Sequence, residues 1–291
     1  MATPRVSIAV PVYNGERYVA QALDSLLAQT YTDFELVIVD NCSTDGTEDI
    51  CRSFASRDQR VRYFRNERNL GGPGNFRRSF MLSRGEYHKW STADDYWEPT
   101  VVEKCVAVLD ADPQVVLAYP RTRLVTHDGT LIREHDDHMH LMDDSPAKRM
   151  RRVLDTTTLC HAHLGVLRRS AMLRTGLIGT ELASDIRFLA ELSLYGKFAV
   201  VPEYLFYRRF HEDSSSWERG NMDRQRAYYD PGRSTAFGMH TWRRYAHLTA
   251  AAFRAPLGAY ERARVIKNLG RRLMWHRRAL WQEVKGMGHA R

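Results

Sequence analysis

The chain has 291 residues, 43% of them hydrophobic, which bounds it to one large domain or two fused lobes around a sizeable core. Its formal charge of +8 is lopsided: residues 261–291 hold nine Lys or Arg against Glu261 and Glu283, so the rest of the chain is nearly neutral. That distribution argues against a nucleic-acid face along the body and for a local contact of the tail with phosphate or a membrane surface. Cys42, Cys51, Cys105 and Cys160 form no CxxC pair, so neither a zinc ribbon nor a disulfide framework is expected, and a reducing cytoplasm fits.

In chain order, the apolar run 6–12 reads as a first strand, far short of the roughly 20 residues that span a bilayer, so neither a signal peptide nor a transmembrane helix is expected. Val19, Ala22, Leu23, Leu26 and Leu27 recur at three- and four-residue steps and predict an amphipathic helix. Strands follow at 34–39 and 61–64, with a helix starting near Thr47 between them. A further helix is predicted over 76–84, closed by Gly85 in a left-handed conformation, and a fourth strand over 87–90. This alternation implies a mostly parallel sheet flanked by helices, which binds ligands beyond the carboxyl ends of its strands. The residues there are polar: Pro11, Tyr13, Asn14, Gly15 and Glu16 after the first strand, 40–46 after the second, Asp94 and Asp95 after the fourth.

The stretch VSIAVPVYNGERYVAQALDSLLAQTYTDFELVIVDNCSTDGT resembles the opening of family 2 of the glycosyltransferases, which have the GT-A fold. The likeness continues through the glycine-rich segment 69–75, Ala93-Asp94-Asp95, GVLRRSAMLRTGLIG, SDIRFLAELSLYGKF and YRRFHEDSSS, about the first 215 residues. It implies an α/β nucleotide-sugar-binding half over 1–98, an acceptor-binding half over 99–215 and a basic helical extension over 216–291.

Specific roles come with the resemblance. Asp40 matches the residue that hydrogen-bonds the base, and Pro11, Tyr13 and Glu16 the loop around base and ribose, with Asn41 where Asp is often found. Gly72 and Asn75 belong to a close-approach loop beside the nucleotide, since Gly71-Gly72-Pro73-Gly74 lacks GxGxxG spacing. Ala93, Asp94 and Asp95 match the acidic motif that holds Mn²⁺ or Mg²⁺ on the diphosphate, although Thr92 stands where the common motif has a first Asp. His211 matches a histidine near the diphosphate that completes the metal shell; the alternative is a structural histidine. Asp185, at a helix start, matches the general base, with Ser184 where Glu is common.

Together these imply an inverting, single-displacement transfer from a UDP-, dTDP- or GDP-sugar to a hydroxyl acceptor. No QxxRW motif is present, so one sugar per encounter is expected. A nucleotidyltransferase would need a basic phosphate-gripping loop where only Arg17 stands near, and a non-catalytic basic module would leave Asp40, Asp94 and Asp185 unexplained. His135, His138 and His140 among Asp136, Asp137, Asp143 and Asp144 suggest a mobile acidic loop over the acceptor cleft. The tail interleaves arginines with Trp242, Leu269, Leu273, Trp275, Leu280 and Trp281. It either packs on the body or a second subunit, the favoured reading, or lies at the inner membrane face beside a lipid-linked acceptor. Donor base, sugar, acceptor and homo-oligomer formation stay open.

Overall fold

The computed structural model describes residues 3–156, 159–212, 214, 221–229, 231 and 239–288. Asp213 and the serines after Ser214 in YRRFHEDSSS lie outside these. The first half alternates as the sequence predicts: β1 (Val6–Val12), α1 (Val19–Leu27), β2 (Phe34–Asp40), α2 (Thr47–Arg57), β3 (Val61–Arg65), α3 (Gly71–Leu82) and β4 (Tyr87–Trp90). Every residue of β1, β2 and β4 is buried, as expected of strands covered on both faces. The apolar stripe of α1 packs inward through Val19, Ala22, Leu23 and Leu26.

β5 (Tyr96–Trp97), α4 (Val101–Ala111), β6 (Val115–Val125), β7 (Leu131–His135), α5 (Pro146–Thr156), a 3₁₀ turn at His161–Leu164, β8 (Val166–Arg168), α6 (Arg169–Met172), α7 (Ser184–Leu192) and β9 (Lys197–Arg209) complete the body. One sheet, ordered β3-β2-β1-β4-β8-β6-β9-β5 with β7 on β6, contains all nine strands found among the described residues. β3, β2, β1 and β4 are parallel; the sheet turns antiparallel at β8, so strands from both halves share one core.

Three expectations need correction. The helix expected over 76–84 begins at Gly71, so the glycine-rich run is its first turn rather than a loop. Gly85 is not left-handed; among the described residues Gly71 and Gly129 are the glycines with positive φ. What requires Gly85 is crowding, because a Cβ there would lie 2.7 Å from the Ser7 backbone nitrogen. The acidic histidine segment is docked, not loose: Met139 is fully buried, Leu141 bridges to Phe198, and Asp137 accepts from the Ala162 amide and bonds His135 at 2.9 Å.

Beyond α8 (Met222–Tyr229), the tail forms α9 (His240–Arg254), α10 (Ala259–Trp275) and α11 (Arg277–Gly288). Val265, Leu269, Leu280 and Tyr245 are buried, whereas Trp242, Met274, Trp275 and Trp281 are exposed, so the helices pack by aliphatic side chains and Tyr245 and leave these three tryptophan rings outside. No helix among the described residues is long and apolar enough to cross a membrane.

Candidate active site

Two cavities meet at the carboxyl ends of β1, β2 and β4. The first, about 360 Å³, is lined by Pro11, Tyr13, Asn41, Gly72, Asn75, Ala93, Asp94 and His211 among others. The second, about 320 Å³, lies under α7 and contains Asp185. Phe76, Thr92, Arg208 and Tyr228 line both and form the wall between them.

Strand pairing builds the acidic corner. β5 follows Asp94-Asp95 directly and runs antiparallel to β9 with Tyr96 opposite Tyr207, which brings Arg208, Arg209 and His211 onto the two carboxylates. Asp94 Oδ2 lies 3.0 Å from His211 Nε2 and 3.6 Å from Arg208 Nη1. Burial works against its charge, but the His211 hydrogen bond and the Arg208 guanidinium outweigh burial and hold its carboxyl below the usual range. Asp95 is turned inward: its Oδ1 accepts from the Arg209 amide at 2.8 Å and from Arg208 at 3.1 Å, and Oδ2 from the Thr92 hydroxyl. Burial pushes the Asp95 carboxyl up to about 6 against the pull of Arg208, and the neighbouring Asp94 charge adds to the rise.

The expected metal set therefore divides. Asp94 and His211 face the cavity together, and His211 Nδ1 is a buried nitrogen without a partner. One carboxylate and one imidazole fit a hard cation that takes its remaining ligands from diphosphate oxygens. Asp95 does not join them; it anchors β9.

The base-binding set divides in the same way. Asp40 is buried, accepts from the Ser43 amide and Tyr63 hydroxyl at 2.8 Å and pairs with Arg65 at 2.5 Å, and does not line the cavity. Glu16 accepts from the Gly46 amide at 2.7 Å and clips the start of α2. Asn41 is the residue after β2 that reaches the cavity wall. Its Oδ1 accepts from Asn66 at 2.8 Å and the Leu70 amide at 2.9 Å, and its Nδ2 donates to Asn69 at 2.8 Å. Asn75 extends this web, donating to the Val39 carbonyl at 2.8 Å and accepting from Asn66 at 2.9 Å. Tyr13 is 48% exposed and offers a ring face to a base.

In the second cavity, Asp185 stands in the first turn of α7. The N-cap position falls to Ala183, with no side-chain capping hydrogen bond, and Asp185 Oδ1 accepts from the Ile186 amide at 2.8 Å. Behind it, Arg187 is buried between Glu181 and Glu191, 3.1 Å from Glu191, which also pairs with Arg254 of α9 at 2.5 Å.

Arg208, Tyr18 and Tyr228 escaped the sequence reading. Arg208 lies within YRRFHEDSSS, but only the pairing of β9 with β5 shows that it faces the carboxylates. Tyr18 packs on His211 with ring centroids 4.9 Å apart and leaves a buried hydroxyl without a partner at the first cavity. Tyr228 comes from α8, which lies outside the strong motif region.

Comparison with known proteins agrees with this fold. The profile of the family described as glycosyl transferase family 2 matches residues 7–175. A chondroitin synthase from Pasteurella multocida is 29% identical over 224 residues, 77% of this chain and 22% of that protein. The chain spans between 21% and 36% of the lengths of the first curated relatives it matches. S. aureus TarS 1–349 in complex with UDP superposes with TM-score 0.65 at 18% identity, covering 93% of this chain and 72% of that one. The mannosyltransferase PcManGT from Pyrobaculum calidifontis, in complex with GDP-Man and Mn²⁺, gives TM-score 0.57 at 18% identity, covering 98% and 85%.

Proposed function

The chain belongs to glycosyl transferase family 2, and from that premise we propose that it moves one sugar per encounter from a nucleoside-diphosphate sugar to an acceptor hydroxyl, inverting the anomeric centre. The observation that carries this reading is the shared wall. A cavity with Asp94 and His211 at its edge is separated from a cavity with Asp185 only by Phe76, Thr92, Arg208 and Tyr228. A donor and an acceptor in the two spaces would meet at that wall.

In this account the first cavity takes the nucleotide, with Tyr13 against the base and the Asn41–Asn75 web fixing the shape of the opposite side. Asp94 and His211 would hold Mn²⁺ or Mg²⁺, which neutralises charge developing on the departing diphosphate. Arg208, facing both cavities, supplies a fixed positive charge at the same place without any change of protonation. Asp185 accepts the proton of the acceptor hydroxyl as its oxygen attacks. Structural neighbours solved in complex with UDP and with GDP-Man support a UDP- or GDP-sugar as donor, with a dTDP-sugar next. Exposed Trp242, Trp275 and Trp281 among the tail arginines support a cytoplasmic enzyme that touches an anionic membrane carrying a lipid-linked acceptor.

The test is release of nucleoside diphosphate from a panel of UDP-, GDP- and dTDP-sugars, with water as the default acceptor, before and after chelation. One nucleotide series should be hydrolysed, and chelation followed by Mn²⁺ should abolish and restore it. Absence of turnover with every donor would overturn the reading.

A further inference from the structure

Cys160, His163 and Asp185 offer ligand atoms that all lie within 4.8 Å of one another, and all three line the second cavity. A tetrahedral zinc holds ligand atoms about 3.5 Å apart, so side-chain movements of about an ångström close the set. We propose that these residues form a site for a thiophilic divalent cation, Zn²⁺ foremost, whose fourth position opens into the acceptor cavity. Occupation ties up the Asp185 carboxylate and so shuts off transfer; this consequence rests on Asp185 being the general base.

Several features shape the site. The Cys160 carbonyl accepts from Nδ1 of His163, which fixes the tautomer in which Nε2 carries the lone pair a metal needs. Asp185 commits Oδ1 to the Ile186 amide, an outer hydrogen bond of the kind that orients a ligating carboxylate. Cys160 and Ala183, on the two segments that supply the ligands, are both non-glycine residues at positive φ, 62° and 57°. The other Cys/His/Asp/Glu cluster differs. In His135, Asp137 and His161, the Asp137 oxygens already accept from the Ala162 amide and bond His135.

Ligand softness separates the proposed site from the donor site. A thiolate selects zinc over magnesium, whereas Asp94, His211 and diphosphate oxygens suit a hard ion. Binding releases the Cys160 thiol proton to solvent, and the charge of the cation is offset by thiolate and carboxylate.

The test titrates Co²⁺ into the full chain, stripped by chelator and supplied with Mg²⁺ for the donor site. One equivalent should produce a thiolate-to-cobalt charge-transfer band that Zn²⁺ bleaches. Cys160→Ser should abolish the band, His163→Ala should weaken Co²⁺ binding about tenfold or more, and Cys42→Ser should leave the band. No band, or a band that survives Cys160→Ser, would overturn the site. If Cys160→Ser fails to fold by circular dichroism, His163→Ala decides, and unchanged affinity there overturns the site equally.

Zn²⁺ should also slow hydrolysis of the nucleotide sugar over the concentration range that bleaches cobalt. Full bleaching with an unchanged rate would overturn the inhibitory role. UDP and GDP binding measured on the same samples separates the two readings. Lost nucleotide binding with an intact band breaks the transferase account and spares the metal site.

Discussion

The walls of the two cavities are held in different ways. On the donor side, Asn41, Asn66, Asn69 and Asn75 are neutral amides that bond one another and nearby backbone groups, with the buried Asn66 Oδ1 left without a partner. On the acceptor side, α7 is fixed by buried ions, with Arg187, Glu181 and Glu191 each no more than 2% exposed and tied outward to Arg254. A neutral web loses about 1–3 kcal/mol when one buried partner is left unsatisfied, whereas a stranded buried charge costs about 3–5 kcal/mol. The acceptor half should therefore be the brittle one, and its binding groups depend on a tail helix far away in sequence.

The largest effect expected on the acceptor side is chemical. Asp185→Asn should lower the transfer rate about 10²- to 10⁴-fold while nucleotide affinity is unchanged, read from steady-state rates beside calorimetry. A matching loss of nucleotide affinity would mean that the two walls are not separate. Arg187→Ala, which strands Glu181 and leaves Glu191 with Arg254 as its remaining cation, should destabilise the fold by about 3–5 kcal/mol in urea unfolding. Asn75→Ala, its donor-side counterpart, should cost about 1–3 kcal/mol. Equal losses would erase the contrast.

Acid sensitivity sharpens it from the other side. His88 is fully buried on β4, and burial pushes its imidazole down to about 3. Below about pH 6.5 the unfolded chain takes up a proton that the folded chain refuses. The neutral imidazole's contribution is thus intact above that pH and is lost as pH falls towards 3. At pH 4 the loss reaches about 3 kcal/mol, and His88→Leu should flatten this limb of the stability curve.

The smallest effect concerns the shared wall. A Cβ on Gly72 would come 2.3 Å from the Tyr228 ring. Gly72→Ala should cost about 1 kcal/mol or somewhat more as the ring gives way. Because Tyr228 borders both cavities, KM for donor and acceptor should rise together; a rise for one alone would place the wall elsewhere.

The same division explains what the sequence could reveal. Donor-side elements are built from contiguous runs with their own periodicity, so β1, α1, β2 and the start of α2 were legible almost to the residue. Register was not legible: Asp40 and Asn41 are adjacent, yet one is buried under Arg65 and the other walls the cavity. Alternation of side chains along a strand settles this only once the strand's end is fixed. The inward turn of Asp95 was not legible for the same reason, since its partners come from β9, more than a hundred residues later. On the acceptor side Asp185 was legible through its motif. Cys160, His163 and Arg208 were not, because pairing of distant segments, rather than local pattern, brings them to the cavity.

The most direct measurement of the central claim is calorimetric titration of UDP and GDP, with and without Mn²⁺, into the wild-type chain and Asp94→Ala. The account predicts that one nucleotide binds, that Mn²⁺ strengthens it, and that Asp94→Ala removes the Mn²⁺ dependence while Asp95, still paired with Arg208, keeps the fold. Binding that ignores both Mn²⁺ and Asp94, or no nucleotide binding at all, would contradict it.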